Sequence, residues 1–93
     1  MEIEFVARFR KDLRRVPPEA RAQVADMVER LETATDLESA GLDYKRMQGQ
    51  KKSEQYYRIR LGDYRVGIEY LSPGIILLRV LKRGDVYKHF PPK

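Results

Sequence analysis

Cysteine is absent from this 93-residue chain, and histidine occurs once, at position 89. Without thiols there are no disulfides, so a small fold must rest on one modest core, as suits a reducing compartment. A single histidine with no cysteine also leaves too few ligands for zinc chemistry. There is no Gly-rich phosphate loop of the P-loop kind, and there are no repeats or low-complexity tracts. Long apolar runs are missing too. The run Gly74–Leu78 is far too short to cross a membrane, and the opening MEIEFVARFRKDLRR lacks the apolar centre of a secretory leader. The expectation is a soluble cytoplasmic protein with no membrane association, folded as one domain over residues 1–93.

What the chain does have is positive charge, unevenly placed. The formal net charge is +5. Residues 1–44 hold seven Lys/Arg against ten Asp/Glu, net −3, whereas residues 45–93 hold twelve against four, net +8. An imbalance of that kind points to an anionic partner, with nucleic acid the first candidate.

Periodicity predicts an α+β fold. Ile3 and Phe5 alternate with Glu2 and Glu4, as in a short strand. Val6, Phe9, Leu13 and Val16 then share a helical stripe that Pro17 and Pro18 stop, and Pro18 suits the first turn of a second helix carrying Ala20, Val24, Met27, Val28 and Leu31. These two helices form an antiparallel hairpin. Residues 35–52 read as a loop with a short helical turn near Leu37 to Leu42. Beyond it the period becomes two: Tyr57, Ile59 and Leu61 against Tyr56, Arg58 and Arg60, then Tyr64, Val66, Ile68 and Tyr70 against Arg65 and Glu69. Ile75 to Leu81 is nearly continuous in apolar residues, as expected of a central strand. Asp85 to Lys88 reads as a short last strand. The expected architecture is an N-terminal strand, a two-helix hairpin, and an antiparallel meander packed on the helices.

On this pattern Arg58, Arg60 and Arg65 leave the sheet on the side away from the helices. Guanidinium is always charged and its planar donor fork matches phosphate oxygens, so the face is either an anion cradle or a solvated surface with Glu69 pairing an arginine. Arg79 either lines that face or pairs with Glu69. Lys51 and Lys52, in QGQKKSEQ, read as backbone contacts at its mouth or as a solvated loop. Tyr56, Tyr64 and Tyr70 read as packing residues.

The stretches YYRIRLGDYRVGIEY and LLRVLKRGDVY, in that order and after a strand and helix hairpin, resemble the RelE/ParE toxin superfamily, and its RelE-type messenger-RNA-cleaving branch more closely. The likeness covers nearly the whole chain. It implies a toxin of a type II toxin–antitoxin system, restrained by a cognate antitoxin, that cuts mRNA on the ribosome in the 30S decoding site with no metal or other cofactor. In that chemistry the ribose 2′-OH attacks the adjacent phosphate and leaves a 2′,3′-cyclic phosphate. The resemblance carries the roles of transition-state cations to Arg65 and Arg83 and that of a base-stacking or proton-transfer residue to Tyr87. Arg58 and Arg60 match the family's basic pair. Many relatives have histidine where this chain has Lys82, so the general base is open among Lys82, Tyr87 and His89. His89 lies two residues beyond Tyr87, outside the motif, and is otherwise an RNA contact. Two alternatives stand beside the ribonuclease: a ParE-like protein that binds gyrase without chemistry, and a non-catalytic member that binds antitoxin alone. The ParE branch usually lacks the basic pair and the final tyrosine.

Overall fold

In a computed structural model describing residues 1–91, the alternating N-terminus forms β1 (Glu2–Phe5) and the helical stripe forms α1 (Ala7–Leu13). Arg14 and Arg15 continue only as a turn, their N–H groups donating to the carbonyls of Arg10 and Asp12, and Val16 is still buried. α2 (Pro18–Thr33) begins on Pro18, where no N–H is needed, and buries Ala20, Val24, Met27 and Leu31. A 3₁₀ turn at Glu38–Ala40 precedes β2 (Tyr44–Arg46), β3 (Tyr56–Leu61), β4 (Tyr64–Leu71), β5 (Gly74–Lys82) and α3 (Val86–His89).

The five strands make one sheet in the order β1-β5-β4-β3-β2. It is antiparallel except at one edge, where β1 runs parallel to β5 and pairs Ile3 with Ile75 and Phe5 with Leu77. The meander is therefore part of a mixed sheet, and β5 is interior, as its apolar run requires. Both helices lie on one sheet face. Phe9, Met27 and Leu31 meet Ile59, Val66, Ile68, Leu77 and Val80 there, all close to fully buried.

Two local expectations change. β2 replaces part of the expected loop: it is three residues long, too short to show a period, and is defined by pairing Tyr44 with Ile59 and Arg46 with Tyr57. The expected last strand is a helix. Val86 and Phe90 are four residues apart, a spacing that brings side chains to one face in either period. The helix prevails because β5 ends at Lys82, Asp85 N–H donates to Lys82 O, and Phe90 N–H closes a turn on Val86 O.

A buried acid ties the layers. Asp12, 5% exposed, accepts from Arg79 Nε (2.7 Å), Arg79 Nη2 (3.2 Å) and the Val80 N–H (3.1 Å). Arg79 thus neither pairs with Glu69 nor lines the arginine face. β5 is bulged at this point, since Gly67 opposes Arg79 while Ile68 opposes Leu77. The extra residue lets Leu78 and Leu81, three positions apart, both pack toward α3.

Asp12→Ala strands a guanidinium that is 14% exposed and orphans the Val80 N–H. The expected loss is about 3–5 kcal/mol, since removing one partner of a buried pair leaves an uncompensated charge. Urea unfolding measures it, and replacing both Asp12 and Arg79 by leucine should cost less than the single change.

Candidate functional site

β3 and β4 present the arginines through their register. Arg60 lies opposite Arg65, and Arg58 lies opposite Gly67. On the same face Leu81 of β5 is the partner of Arg65. Without a side chain at Gly67, the sheet has a hollow beside Arg58, and the ring of Phe90 fills it. A Cβ added at Gly67 would stand 2.8 Å from that ring. Phe90 is buried, stacks edge-on with Tyr56 at 5.6 Å between centroids, and with Val86 covers Met47, Leu78 and Leu81. The C-terminal segment therefore crosses the arginine face and is held there by a second small core.

Arg65 is 8% exposed, and its Nη1 donates to the carbonyls of Gly62 (2.6 Å) and Tyr64 (2.9 Å). Those bonds pin the guanidinium and leave Nε and Nη2 with no hydrogen bond to the described residues. Burial, then the charges of Arg60 and Arg58, push its pKa below the ordinary arginine value; Tyr87, where ionised, opposes this and Arg83 adds to it. It remains protonated at neutral pH. Arg58, Arg60, Arg83 and Tyr87 are therefore within electrostatic reach of Arg65, a range longer than contact. One of them is unsatisfied, because Arg58 Nη1 is buried and has no hydrogen-bond partner among the described residues. Arg60 has only a marginal pair, 4.0 Å from Asp43. Glu69 faces Tyr56 and forms no ion pair among the described residues.

Arg58, Tyr87 and Phe90 line a cleft of about 350 Å³ closed on its other side by Lys45 and Arg46. Tyr87 is 63% exposed at its rim. Arg83 sits in the β5–α3 turn, its N–H donating to Asp63 O at 2.9 Å, which fastens this turn to the β3–β4 turn beneath Arg65. Arg58, Arg60 and Arg65 thus share one sheet face and Tyr87 joins Arg58 in its cleft, whereas Arg83 lines a separate cleft with Gly62, Asp63, Tyr64 and Lys82 beside the start of α2.

Lys82, His89, Lys51 and Lys52 are placed elsewhere. Lys82 pairs with Tyr64 and so projects to the helix side of the sheet. His89 is two positions from Tyr87 on α3, nearly opposite around a helix, and lines a cleft with Arg8, Arg15 and Lys82. Lys51 and Lys52 lie in the β2–β3 loop, at the end of β3 away from the Gly62–Asp63 turn. That loop is braced: Gln50 Nε2 donates to Met47 O and Tyr56 O, and Tyr56 N–H donates to Gln50 Oε1. Sequence pattern does not single out four residues of the site: Lys45, Arg46, Gly67 and Phe90. Gly67 does carry a signal, since a glycine inside a strand marks a close approach by another group.

Chemically the face offers a fixed guanidinium with free donors, further cations and a phenol, with Asp43 approaching only Arg60, at 4.0 Å. It suits a phosphodiester, whose charge grows in the transition state of transfer.

A family model described as the ParE toxin of type II toxin–antitoxin system, parDE, matches residues 3–87. The chain is 38% identical over 91 residues to the Toxin RelE3 of Methanocaldococcus jannaschii, covering 98% of this chain and 100% of that one. Among solved structures it is similar to a RelB–RelE antitoxin–toxin complex from Methanococcus jannaschii, with TM-score 0.78 and 38% identity over 95% of this chain and 99% of that one. An archaeal RelE–RelB complex from Pyrococcus horikoshii shares the fold, with TM-score 0.69 and 24% identity over 89% and 94% of the two chains.

Gly67→Ala tests the seating of Phe90. The added methyl should lift the ring and abolish amide protection at Val86–Phe90 in hydrogen exchange, at a stability cost of about 1–3 kcal/mol. Protection in β4 and β5 away from the site should persist.

Proposed function

The chain belongs to the RelE/ParE superfamily of type II toxin–antitoxin toxins, on its RelE branch, and we propose that it is a metal-independent endoribonuclease that cuts messenger RNA on the ribosome. The observation that carries this reading is the placing of Arg58, Arg60 and Arg65 on one sheet face, with Tyr87 lining the cleft beside Arg58 and with Arg58 and Arg65 holding unused donors. Three cations on adjacent strands repel one another, and a phosphate among them relieves that repulsion.

In the reaction the 2′-oxygen forms a bond to phosphorus, the P–O5′ bond breaks, and a 2′,3′-cyclic phosphate and a 5′-hydroxyl result. A base takes the 2′-OH proton and an acid returns one to O5′. Arg65 and Arg83 neutralise the phosphorane, with Arg65 already fixed in its rotamer. Arg58 and Arg60 hold the flanking backbone. Tyr87, at the rim of the cleft, serves one of these two proton transfers. Lys82 and His89 act from outside this group as RNA contacts, and Lys51 and Lys52 hold backbone further along β3.

The antitoxin is the second partner. The M. jannaschii relative was solved as a complex with RelB. For this chain, an acidic antitoxin segment would cover the net +8 of residues 45–93 and deny RNA the arginine face. The ParE description of the matching family model keeps a gyrase-directed reading open to test: inhibition of DNA supercoiling by the purified protein, with RNA left intact, would overturn ours.

Two sets of variants test the assignment. Arg65→Ala and Arg83→Ala should each slow single-turnover cleavage of ribosome-bound message by roughly 10²–10³, the usual effect of losing one preorganised transition-state donor. Wild-type rates in both would rule out the electrostatic roles.

The proton-transfer assignment is tested separately. Tyr87→Phe should lose most activity, while His89→Gln should keep a near-normal rate with an unchanged pH profile. A fully active Tyr87→Phe, cutting at the same positions, would remove Tyr87 from the chemistry.

A further inference from the structure

The arginine face leaves a second concentration of positive charge unexplained. Residues 1–44 are net negative, yet five of their seven cations, Arg8, Arg10, Lys11, Arg14 and Arg15, fall within eight positions on α1 and the turn after it. All five are exposed. The one acid among them, Asp12, is buried and occupied by Arg79 and the Val80 N–H. Arg8 comes no nearer to it than 3.8 Å. Arg10 lies 6.0 Å from the Phe5 ring centroid, and Arg10, Lys11, Arg14 and Arg15 form no ion pair among the described residues. The outward side of α1 therefore carries charge of one sign, and the internal use of Asp12 is what makes it so.

One end of this surface borders a cleft of about 290 Å³ in which Arg8 and Arg15 meet Lys82 and His89, with Asp85 and the occupied Asp12 as its two carboxylates. Lys82 is adjacent to Arg83, and α3 stands between the two surfaces with Tyr87 on one side and His89 on the other. Lys82 and His89 thus stand between α1 and the β5–α3 turn that carries Arg83.

We propose that α1 is a second RNA-binding surface, which grips the sugar–phosphate backbone outside the nucleotides being cut. Arg10, Lys11, Arg14 and Arg15 are its phosphate contacts, and Lys82 and His89 bridge it to the cleavage face. The proposal rests on the ribonuclease reading only for the choice of RNA as the polyanion. An acidic protein is the competing occupant, and the composition of α1 disfavours it. Ala7, Arg8, Arg10, Lys11, Arg14 and Arg15 include no aromatic or large aliphatic side chain, and the one exposed ring beside them, Phe5, has Arg10 over it at 6.0 Å. Surfaces that hold nucleic-acid backbone are built from Arg and Lys.

The test uses the full chain and a single-stranded 2′-O-methyl RNA, which has no 2′-OH to attack. Affinity is measured over a range of salt for wild type and for the triple variant Arg10→Gln, Lys11→Gln, Arg14→Gln, whose sites are exposed. The variant should lower the slope of log affinity against log salt by about two, at roughly 0.7 for each phosphate no longer neutralised. It should weaken binding to unrelated sequences alike, and leave the single-turnover rate at saturating RNA unchanged. An unchanged slope and affinity overturns the proposal. So does intact RNA binding with weakened antitoxin binding, which would assign α1 to the protein partner. If the wild type binds this RNA through α1 yet cuts no message, the surface stands and the ribonuclease reading falls.

Discussion

The carboxylate of Asp12 is the constraint from which the rest of the structure can be built. It lies on the buried side of α1 and takes three donors from two adjacent residues of β5, which fixes where the helix sits along the strand. Because one donor is a backbone N–H at the bulge, the same contact stabilises the extra residue in β5. The bulge in turn aims Leu78 and Leu81 at α3, and α3 with Phe90 shapes one wall of the cleft beside Arg58. A polar contact on one face of the sheet thereby positions side chains on the other. Its cost is the desolvation of an ion pair, and a pair of this kind specifies an arrangement better than it adds net stability.

The same contact sorts the charges of the molecule. Most cations point outward on two surfaces, and the acid that could have neutralised one of them is held inside. On the β3–β4 face the sorting is stronger, because Arg60 and Arg65 are direct cross-strand partners, an arrangement that is unfavourable by itself. The hydrogen bonds from Arg65 to Gly62 and Tyr64 offset part of that penalty by fixing the side chain in the β3–β4 turn. Such local conflict between propensity and placement is of the kind expected at functional sites.

Much of this is legible in the sequence, and the physical reasons separate what is from what is not. The 2.0 and 3.6 periods of residues 2–31 and 56–81 are long enough to declare both the elements and the inward faces, so the α+β class and the outward side of Arg58, Arg60 and Arg65 can be read directly. β2 cannot, since three residues show no period and pairing with β3 alone defines it. α3 cannot, because Val86 and Phe90 satisfy either period. The long-range partner of Arg79, 67 residues away, leaves no local trace. The motif order groups Lys82 and His89 with Arg83 and Tyr87 because they are neighbours in sequence. A strand alternates and a short helix rotates by about 100° per residue, so neighbours end on different sides.

The contact between Gly67 and Phe90 binds two positions 23 residues apart into one inheritable unit. A larger residue at 67 collides with the ring, and a smaller residue at 90 leaves a hole over bare backbone, so each change alone is penalised for the opposite reason. Drift at either position is then expected to proceed in pairs, with bulk added on the strand as it is removed from the tail. Transplanting the arginine face into another scaffold would require moving the glycine and the aromatic together, because the hollow belongs to neither residue alone.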